Sequence, residues 1–94
     1  MLRAVEIRVT GKVQGVFFRA SCAEYARHLG VRGWVRNEPD GSVRAHIEGG
    51  WTSVEEMLEW CRRGPRRAEV TDVQVTKVPA IDAEGFVVDR STDH

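Results

Sequence analysis

The first third of the chain changes from a strand pattern to a helix pattern. Over residues 5–9, apolar side chains alternate with polar ones, which predicts a strand with one buried face that ends at Gly11. After a short loop, apolar residues recur at spacings of four and three, which predicts a helix over residues 19–29. Gly30 follows at the position that a helix C-cap favours.

The middle of the chain predicts a hairpin and a second helix. Residues 31–37 and 43–48 are strand-like, and the Glu-Pro-Asp-Gly segment between them predicts a tight turn joining antiparallel strands. Residues 53–56 have the form of a capping box, which predicts the start of a helix. An apolar stripe then continues to Cys61, and Gly64-Pro65 ends it.

Two further strands complete the order of elements. Residues 70–78 predict a strand whose alternation slips near Lys77, and residues 86–88 predict a short last strand. The order βαββαβ plus one strand predicts an α+β, ferredoxin-like sandwich in which two helices cover one face of an antiparallel sheet. We expect a single domain over residues 1–94, with a frayed tail over about residues 90–94. Because this fold serves many functions, the function has to be inferred from a site.

Charge and cysteine content narrow the possible partners and compartment. Lys plus Arg and Asp plus Glu both number 14, so recognition of an anion has to be local rather than driven by net charge. No apolar segment reaches the ~20 residues of a membrane span, and the start of the chain lacks a signal-peptide pattern. Cys22 and Cys61 fall on predicted helix faces, so we expect two buried thiols and a cytoplasmic protein.

The loop before the first helix carries a candidate anion site. Its sequence over residues 11–19 is Gly-Lys-Val-Gln-Gly-Val-Phe-Phe-Arg. Gly11 and Gly15 permit backbone conformations in which several N–H groups converge, the helix N-terminus favours negative charge, and Arg19 adds a cationic fork. The spacing differs from that of a Walker loop, so ATP binding is not implied. These residues alone leave two interpretations equally open: a phosphate cradle, or a tight connection with a solvated Arg19.

Two segments resemble the signatures of a known family. Residues 11–19 resemble the first signature of the acylphosphatases, and residues 33–37, Gly-Trp-Val-Arg-Asn, with residues 40–43 and Gly49 after them, resemble the second. The resemblance extends over nearly the whole chain. It implies a hydrolase that cleaves the carboxyl–phosphate bond of acyl phosphates to carboxylate and inorganic phosphate, with no metal, no cofactor and no covalent intermediate.

The resemblance also implies roles for individual residues. Arg19 would bind the phosphate together with loop amides, and Asn37 would hold the attacking water. The loop residues concerned are Gln14, Gly15, Val16, Phe17 and Phe18. An acyl phosphate already has a weakly basic leaving group, so positioning and charge stabilisation suffice. An amide orients water rather than deprotonating it, so we expect the proton to pass to a phosphoryl oxygen of the substrate. Arg44 and His46 depart from the family pattern, which leaves the substrate preference open.

Two other functions remain as alternatives. An RNA-binding module would use the open sheet face, but residues 5–10 and 43–48 offer no aromatic side chains for base stacking. A catalytically silent anion sensor, or a domain that handles carbamoyl phosphate, would share the same cradle. We expect a stand-alone monomer that binds a small acyl phosphate, and inorganic phosphate or similar anions, but no nucleic acid or membrane.

Several other motifs are weaker candidates for chemistry. Cys61 and Arg67 match the Cys-x5-Arg spacing of cysteine-dependent phosphatases, but Cys61 falls at the end of a predicted helix, where the dipole disfavours a thiolate. His28, His46 and His94 lack the short spacings of a metal site, so we expect no metal ligand among them.

Overall fold

The computed structural model describes residues 1–93 and contains five strands and two helices. The elements are β1 (Leu2–Lys12), α1 (Phe18–Leu29), β2 (Arg32–Asn37), β3 (Val43–Gly50), α2 (Trp51–Arg63), β4 (Glu69–Lys77) and β5 (Phe86–Val88). The predicted order is confirmed, and the fold is a ferredoxin-like α+β sandwich with both helices on one face of the sheet. Within residues 1–93, neither helix has the length and apolar character that crossing a membrane requires.

The sheet is mixed rather than wholly antiparallel. Its strand order is β4-β1-β3-β2-β5, and the first four strands pair antiparallel with their neighbours. β5 pairs parallel with β2, so the prediction of an antiparallel sheet was wrong at this edge. β4 and β5 lie at opposite edges, and the chain between them crosses the open sheet face and reverses direction. Alternation in a three-residue strand indicates which face is buried, but it does not indicate whether the strand runs parallel or antiparallel to its neighbour.

The core lies between the helices and one face of the sheet. The buried side chains are the alternating residues of the strands and the inward stripes of the helices. They include Val5, Ile7, Val9, Val35, Val43, Ala45 and Ile47 from the sheet, and Cys22, Ala26, Val54, Met57, Leu58 and Cys61 from the helices. The alternation and the helical spacing in the sequence therefore identified the buried faces.

The start of α2 differs from the prediction. The helix begins at Trp51 with Gly50 as N-cap and without a side-chain cap, so the predicted capping box at residues 53–56 does not form. β3 continues directly into the helix, and the N–H of Trp51 donates to the carbonyl of Met1 at 3.1 Å. The backbone carbonyl of the residue before β1 therefore accepts a hydrogen bond from a first-turn N–H group, which in other helices often donates to a capping side chain.

A buried carboxylate fastens the segment that crosses the open face. Glu48 on β3 is 2% exposed, and it accepts hydrogen bonds from the N–H of Ile81 at 2.9 Å and of Ala83 at 3.3 Å. Its Oε1 also lies 2.6 Å from Nε2 of the buried His46. Burial alone would raise the pKa of Glu48, but the hydrogen bonds from Ile81, His46 and Ala83 outweigh it, and the pKa is lowered.

We expect Glu48→Gln to lower the free energy of unfolding at neutral pH by about 2–3 kcal/mol, because hydrogen bonds to a charged group stabilise by about 1.5–3 kcal/mol. The carboxylate's contribution is present above its unfolded-state pKa, near 4.5, and is lost as the pH falls through the lower folded-state pKa. Two other ionisable side chains face Glu48: His46, and Arg32, whose Nη2 lies 3.8 Å from Glu48 Oε2.

Denaturant unfolding at neutral and acidic pH tests this prediction. The stability difference between the native protein and Glu48→Gln should shrink as the pH drops below 4.5. Glu84→Gln, which changes an exposed carboxylate on the same crossing segment, serves as the control. Equal stabilities of Glu48→Gln and the native protein at neutral pH would contradict the role of Glu48.

Candidate active site

The loop between β1 and α1 has the backbone geometry of an anion nest. Gly15 and Phe17 both have left-handed backbone conformations, with φ of 73° and 62°. Left-handed residues interleaved with ordinary ones turn successive N–H groups toward the same side of a loop. Phe17 is the N-cap of α1 and makes no side-chain cap hydrogen bond, so the first N–H groups of the helix have no side-chain acceptor. The loop and the helix start together, called the cradle below, have the backbone geometry that favours an anion.

Apolar side chains anchor this cradle in the core. Val13, Val16 and Phe18 are all buried, and the Phe18 ring packs against Trp60 of α2 with ring centroids 5.4 Å apart. Gly64 gives this ring its space, since a Cβ there would lie 3.1 Å from the ring. The predicted loop residues therefore divide into buried anchors and residues facing the solvent.

The side chain of Gln14 connects the two segments that resemble family signatures. Its Nε2 donates to the carbonyls of Glu38 at 2.8 Å and Ser42 at 2.9 Å, both in the turn that follows Asn37. The same turn is closed by Ser42, whose hydroxyl and N–H donate to Asp40 and lower the pKa of that carboxyl. The family signature implied a role only for the backbone N–H of Gln14. Its side-chain contacts were not predicted, because the acceptors are backbone carbonyls, which every residue type has.

Asn37 and Arg19 share one cleft. The cleft has a volume of about 280 Å³, and Gly15, Phe17 and Arg90 also line it. Asn37 is the last residue of β2, and its Oδ1 is buried without a hydrogen-bond partner. Among residues 1–93, this is the one buried side-chain nitrogen or oxygen that lacks a partner. An unsatisfied buried acceptor costs about 1–3 kcal/mol, so a hydrogen bond donated to Oδ1 would be favoured.

The C-terminal segment lies against the same cleft. Arg19 Nη1 donates to both carboxylate oxygens of Asp93 at 2.9 Å, and the hydroxyl of Thr92 donates to the backbone carbonyl of Asn37 at 2.5 Å. No pattern in the sequence predicts these contacts, since residues 90–94 have only the composition of a polar tail. Fraying of the tail stays a prediction, and His94 lies outside the described residues.

Asp93 accepts hydrogen bonds from Nη1 of Arg19, so an anionic ligand of that donor would have to compete with it. We expect Asp93→Asn to bind inorganic phosphate about 1.4- to 5-fold more tightly, because partly exposed ion pairs contribute about 0.2–1 kcal/mol. Calorimetric titration with phosphate at low ionic strength measures the change. Asp72→Asn, an exposed aspartate on β4, is the control. Unchanged or weaker binding by Asp93→Asn would indicate that Asp93 orients Arg19 rather than competing for it.

The alternative nucleophile lies away from this cleft. Cys61 is fully buried in the core, as is Cys22, and both are free, as the sequence predicts. A hydrogen bond with Cys61 and burial raise the pKa of the Cys22 thiol well above its ordinary value. Two thiols that are enclosed in the core are not accessible to a substrate as nucleophiles.

The described residues offer no obvious metal ligand set either. In the part of the chain that the structure describes, no group of three or more His, Cys, Asp or Glu side chains is arranged to hold a metal ion. His28 stacks on Tyr25 along α1, and His46 pairs with Glu48. His94, the third histidine considered, is not among these residues.

Arg44 and His46, which depart from the family pattern, face the open side of the sheet. Arg44 pairs with Glu6 and with Glu38, in the second case at 3.6 Å. His46 is buried and stacks on Trp34 with centroids 6.3 Å apart. Neither residue lines the cleft that contains Arg19. Ile81 and Ala83 cover part of this face through their contacts with Glu48, and the Trp34 ring is stacked on His46. The face therefore does not present the free aromatic platform that base stacking requires.

The fold and the cleft define a ferredoxin-like α+β domain with an anion cradle where its first helix begins. The sequence profile of the acylphosphatase family matches residues 5–88. An acylphosphatase of Rubrobacter xylanophilus is 51% identical over 87 residues, which cover 92% of this chain and 79% of that protein. One of Nitrosococcus oceani is 48% identical over 88 residues, covering 94% and 99%. The structure of an acylphosphatase from Coxiella burnetii superposes with a TM-score of 0.90 and 35% identity, covering 94% and 93%.

The chain therefore belongs to the acylphosphatase family, as the two signatures indicated. Its function is that of a hydrolase acting on acyl phosphates.

Proposed function

We propose that Arg19, the loop amides of residues 14–18 and Asn37 carry out this hydrolysis without a metal or cofactor. The observation that carries the proposal is that Asn37, whose Oδ1 is buried without a hydrogen-bond partner, lines the same cleft as Arg19. The amide oxygen of Asn37 is suited to water, and the guanidinium of Arg19 is suited to phosphate. The two reactants of a hydrolysis would thus be held side by side.

Arg19 and the loop bind and stabilise the phosphoryl group. The guanidinium exchanges its contact with Asp93 for phosphoryl oxygens, and the N–H groups of residues 14–18 approach the same oxygens. In the loose transition state of phosphoryl transfer, negative charge lies on these oxygens, and fixed donors stabilise it without reorganising. The anchoring of Val16 and Phe18 in the core supports such preorganisation.

Asn37 holds and orients the water. Its Oδ1 accepts a hydrogen bond from the water, whose oxygen then attacks phosphorus in line with the departing carboxylate. The water's oxygen forms a bond to phosphorus, the bond from phosphorus to the carboxyl oxygen breaks, and the carboxylate leaves with the electron pair. The water's proton passes to a phosphoryl oxygen of the substrate, so no base from the protein is required. The products are a carboxylate and inorganic phosphate.

We also propose that residues 1–94 act as one monomeric domain in the cytoplasm, with acyl phosphate and free phosphate as its ligands and without nucleic acid or membrane partners. One contiguous core cluster among the described residues supports a single domain. Two free buried cysteines favour a reducing compartment. Equal numbers of basic and acidic side chains provide no net field toward polyanions.

The test measures release of phosphate from benzoyl phosphate in the presence of EDTA. The comparison substrate is p-nitrophenyl phosphate, whose leaving group is a phenolate rather than a carboxylate. We expect activity on benzoyl phosphate, with kcat/KM showing no essential enzyme base of near-neutral pKa. Loss of activity with EDTA, or a requirement for such a base, would contradict the mechanism. Phosphate binding without hydrolysis would instead identify a silent anion sensor.

A further inference from the structure

Phe17 combines an exposed side chain with a left-handed backbone. Its side chain is 72% exposed, although the neighbouring Phe18 is buried in the core. Its backbone is left-handed, with φ of 62°, a conformation that costs a residue with a Cβ about 1–2 kcal/mol. A large exposed aromatic ring on a strained backbone at the edge of a cleft is the kind of outlier that indicates a functional role.

The cleft around Phe17 serves two chemically different parts of the substrate. Arg19 and the loop amides suit the phosphoryl group, but the acyl group needs an apolar surface of its own. Of the apolar residues lining the cleft, Val13 and Phe18 are buried in the core, and Ala20 is exposed but offers only a methyl group, whereas Phe17 presents an exposed ring. The Phe17 ring is therefore the large apolar surface at the edge of the cleft that contains Arg19.

We propose that the ring of Phe17 receives the acyl group of the substrate and selects for aromatic acyl phosphates over short aliphatic ones. This inference rests on the proposed function, because it takes the phosphoryl group to be bound by Arg19. A benzoyl ring covers much more of the Phe17 ring than a methyl group does, and aromatic pairs add to area burial through offset or edge-to-face contacts. Phe17 is thus a specificity-determining residue, while its backbone N–H belongs to the phosphate cradle.

The experiment compares the binding of benzoylphosphonate and acetylphosphonate, which resemble the two substrates but lack the cleavable bond. Calorimetric titration gives both dissociation constants, and the native protein should bind benzoylphosphonate more tightly. In Phe17→Ala and in Phe17→Asn, the ratio of the two constants should fall about 5- to 10-fold. Asparagine tolerates the left-handed conformation, so it removes the ring with little change in backbone strain. Phe17→Tyr should restore the native ratio.

The ratio separates selectivity from distortion of the loop. A change in the phosphate cradle weakens both ligands alike and cancels in the ratio, so a purely structural role of Phe17 would leave the ratio unchanged and overturn the inference. A native protein that binds both phosphonates equally would overturn it as well. Because binding is measured without turnover, absence of benzoyl phosphate hydrolysis would contradict the proposed function and would leave this test intact.

Discussion

Replacing Asn37 with alanine is expected to lower kcat for acyl phosphate hydrolysis by about 10²- to 10³-fold, the loss typical when one preorganised polar group is removed from an active site. Phosphate affinity should change by less than about threefold, because the side chain is assigned to the water rather than to the phosphate. The variant should fold, since the buried Oδ1 that is removed has no hydrogen-bond partner in the protein to lose. Phosphate release, calorimetric binding of phosphate and denaturant unfolding measure these three quantities.

Two further variants sharpen the Asn37 result. Asn37→Asp keeps the shape but places a carboxylate beside the phosphoryl group, so it should lose activity and also bind phosphate more weakly. Gln74→Ala removes an amide from the exposed side of β4 and should retain native kinetics. If Asn37→Ala lost phosphate affinity and rate in equal proportion, the side chain would be a phosphate ligand and the assigned role would be wrong.

Replacing Arg19 with alanine should reduce kcat/KM by about 10³- to 10⁵-fold, the range found when an arginine that stabilises phosphoryl-transfer charge is removed. In contrast to the Asn37 variant, this loss should be accompanied by weak binding of inorganic phosphate. Arg19→Lys keeps the charge but lacks the planar fork, so its affinity and rate should fall between those of the native protein and Arg19→Ala. Steady-state kinetics and product inhibition by phosphate give both numbers.

The control for Arg19 is a change of charge elsewhere. Arg66→Ala removes an exposed cation between α2 and β4, away from the residues that line the cleft, and therefore reports the effect of lowering the net charge alone. Native behaviour of Arg66→Ala together with loss in Arg19→Ala would localise the effect to the cleft. Near-native affinity for phosphate in Arg19→Ala would show that the Arg19 guanidinium does not bind phosphate.

Local patterns in the sequence were sufficient to predict the elements of the fold. Alternation over residues 5–9 and the stripe ending at Cys61 identified buried faces because side-chain direction repeats with the backbone period. The parallel pairing of β5 was not predictable in this way, since it depends on where the crossing segment leads the chain. The start of α2 was also missed, because its first N–H is satisfied by Met1, which is distant in sequence.

The candidate site was predictable to a similar extent. Arg19 and Asn37 were identified by the two family signatures, and the structure brings them to one cleft. The side-chain contacts of Gln14 with the turn after Asn37 and of Asp93 with Arg19 were not predicted. Each joins residues more than 20 positions apart, and their partners depend on the tertiary fold rather than on local spacing. Such contacts have no period that a pattern along the chain would reveal.

The crossing of residues 78–85 over the open face has a consequence for how the molecule opens. β5 has three residues and pairs only with β2, whereas β1 forms long ladders with both β3 and β4. Detachment of the segment from residue 78 onward therefore breaks far fewer backbone bonds than global unfolding and leaves the cradle folded. That same opening carries Asp93 away from Arg19. Amide protons of Ile81 and Ala83 should then exchange with solvent before those of β1, and each such excursion would leave the guanidinium open to an incoming anion.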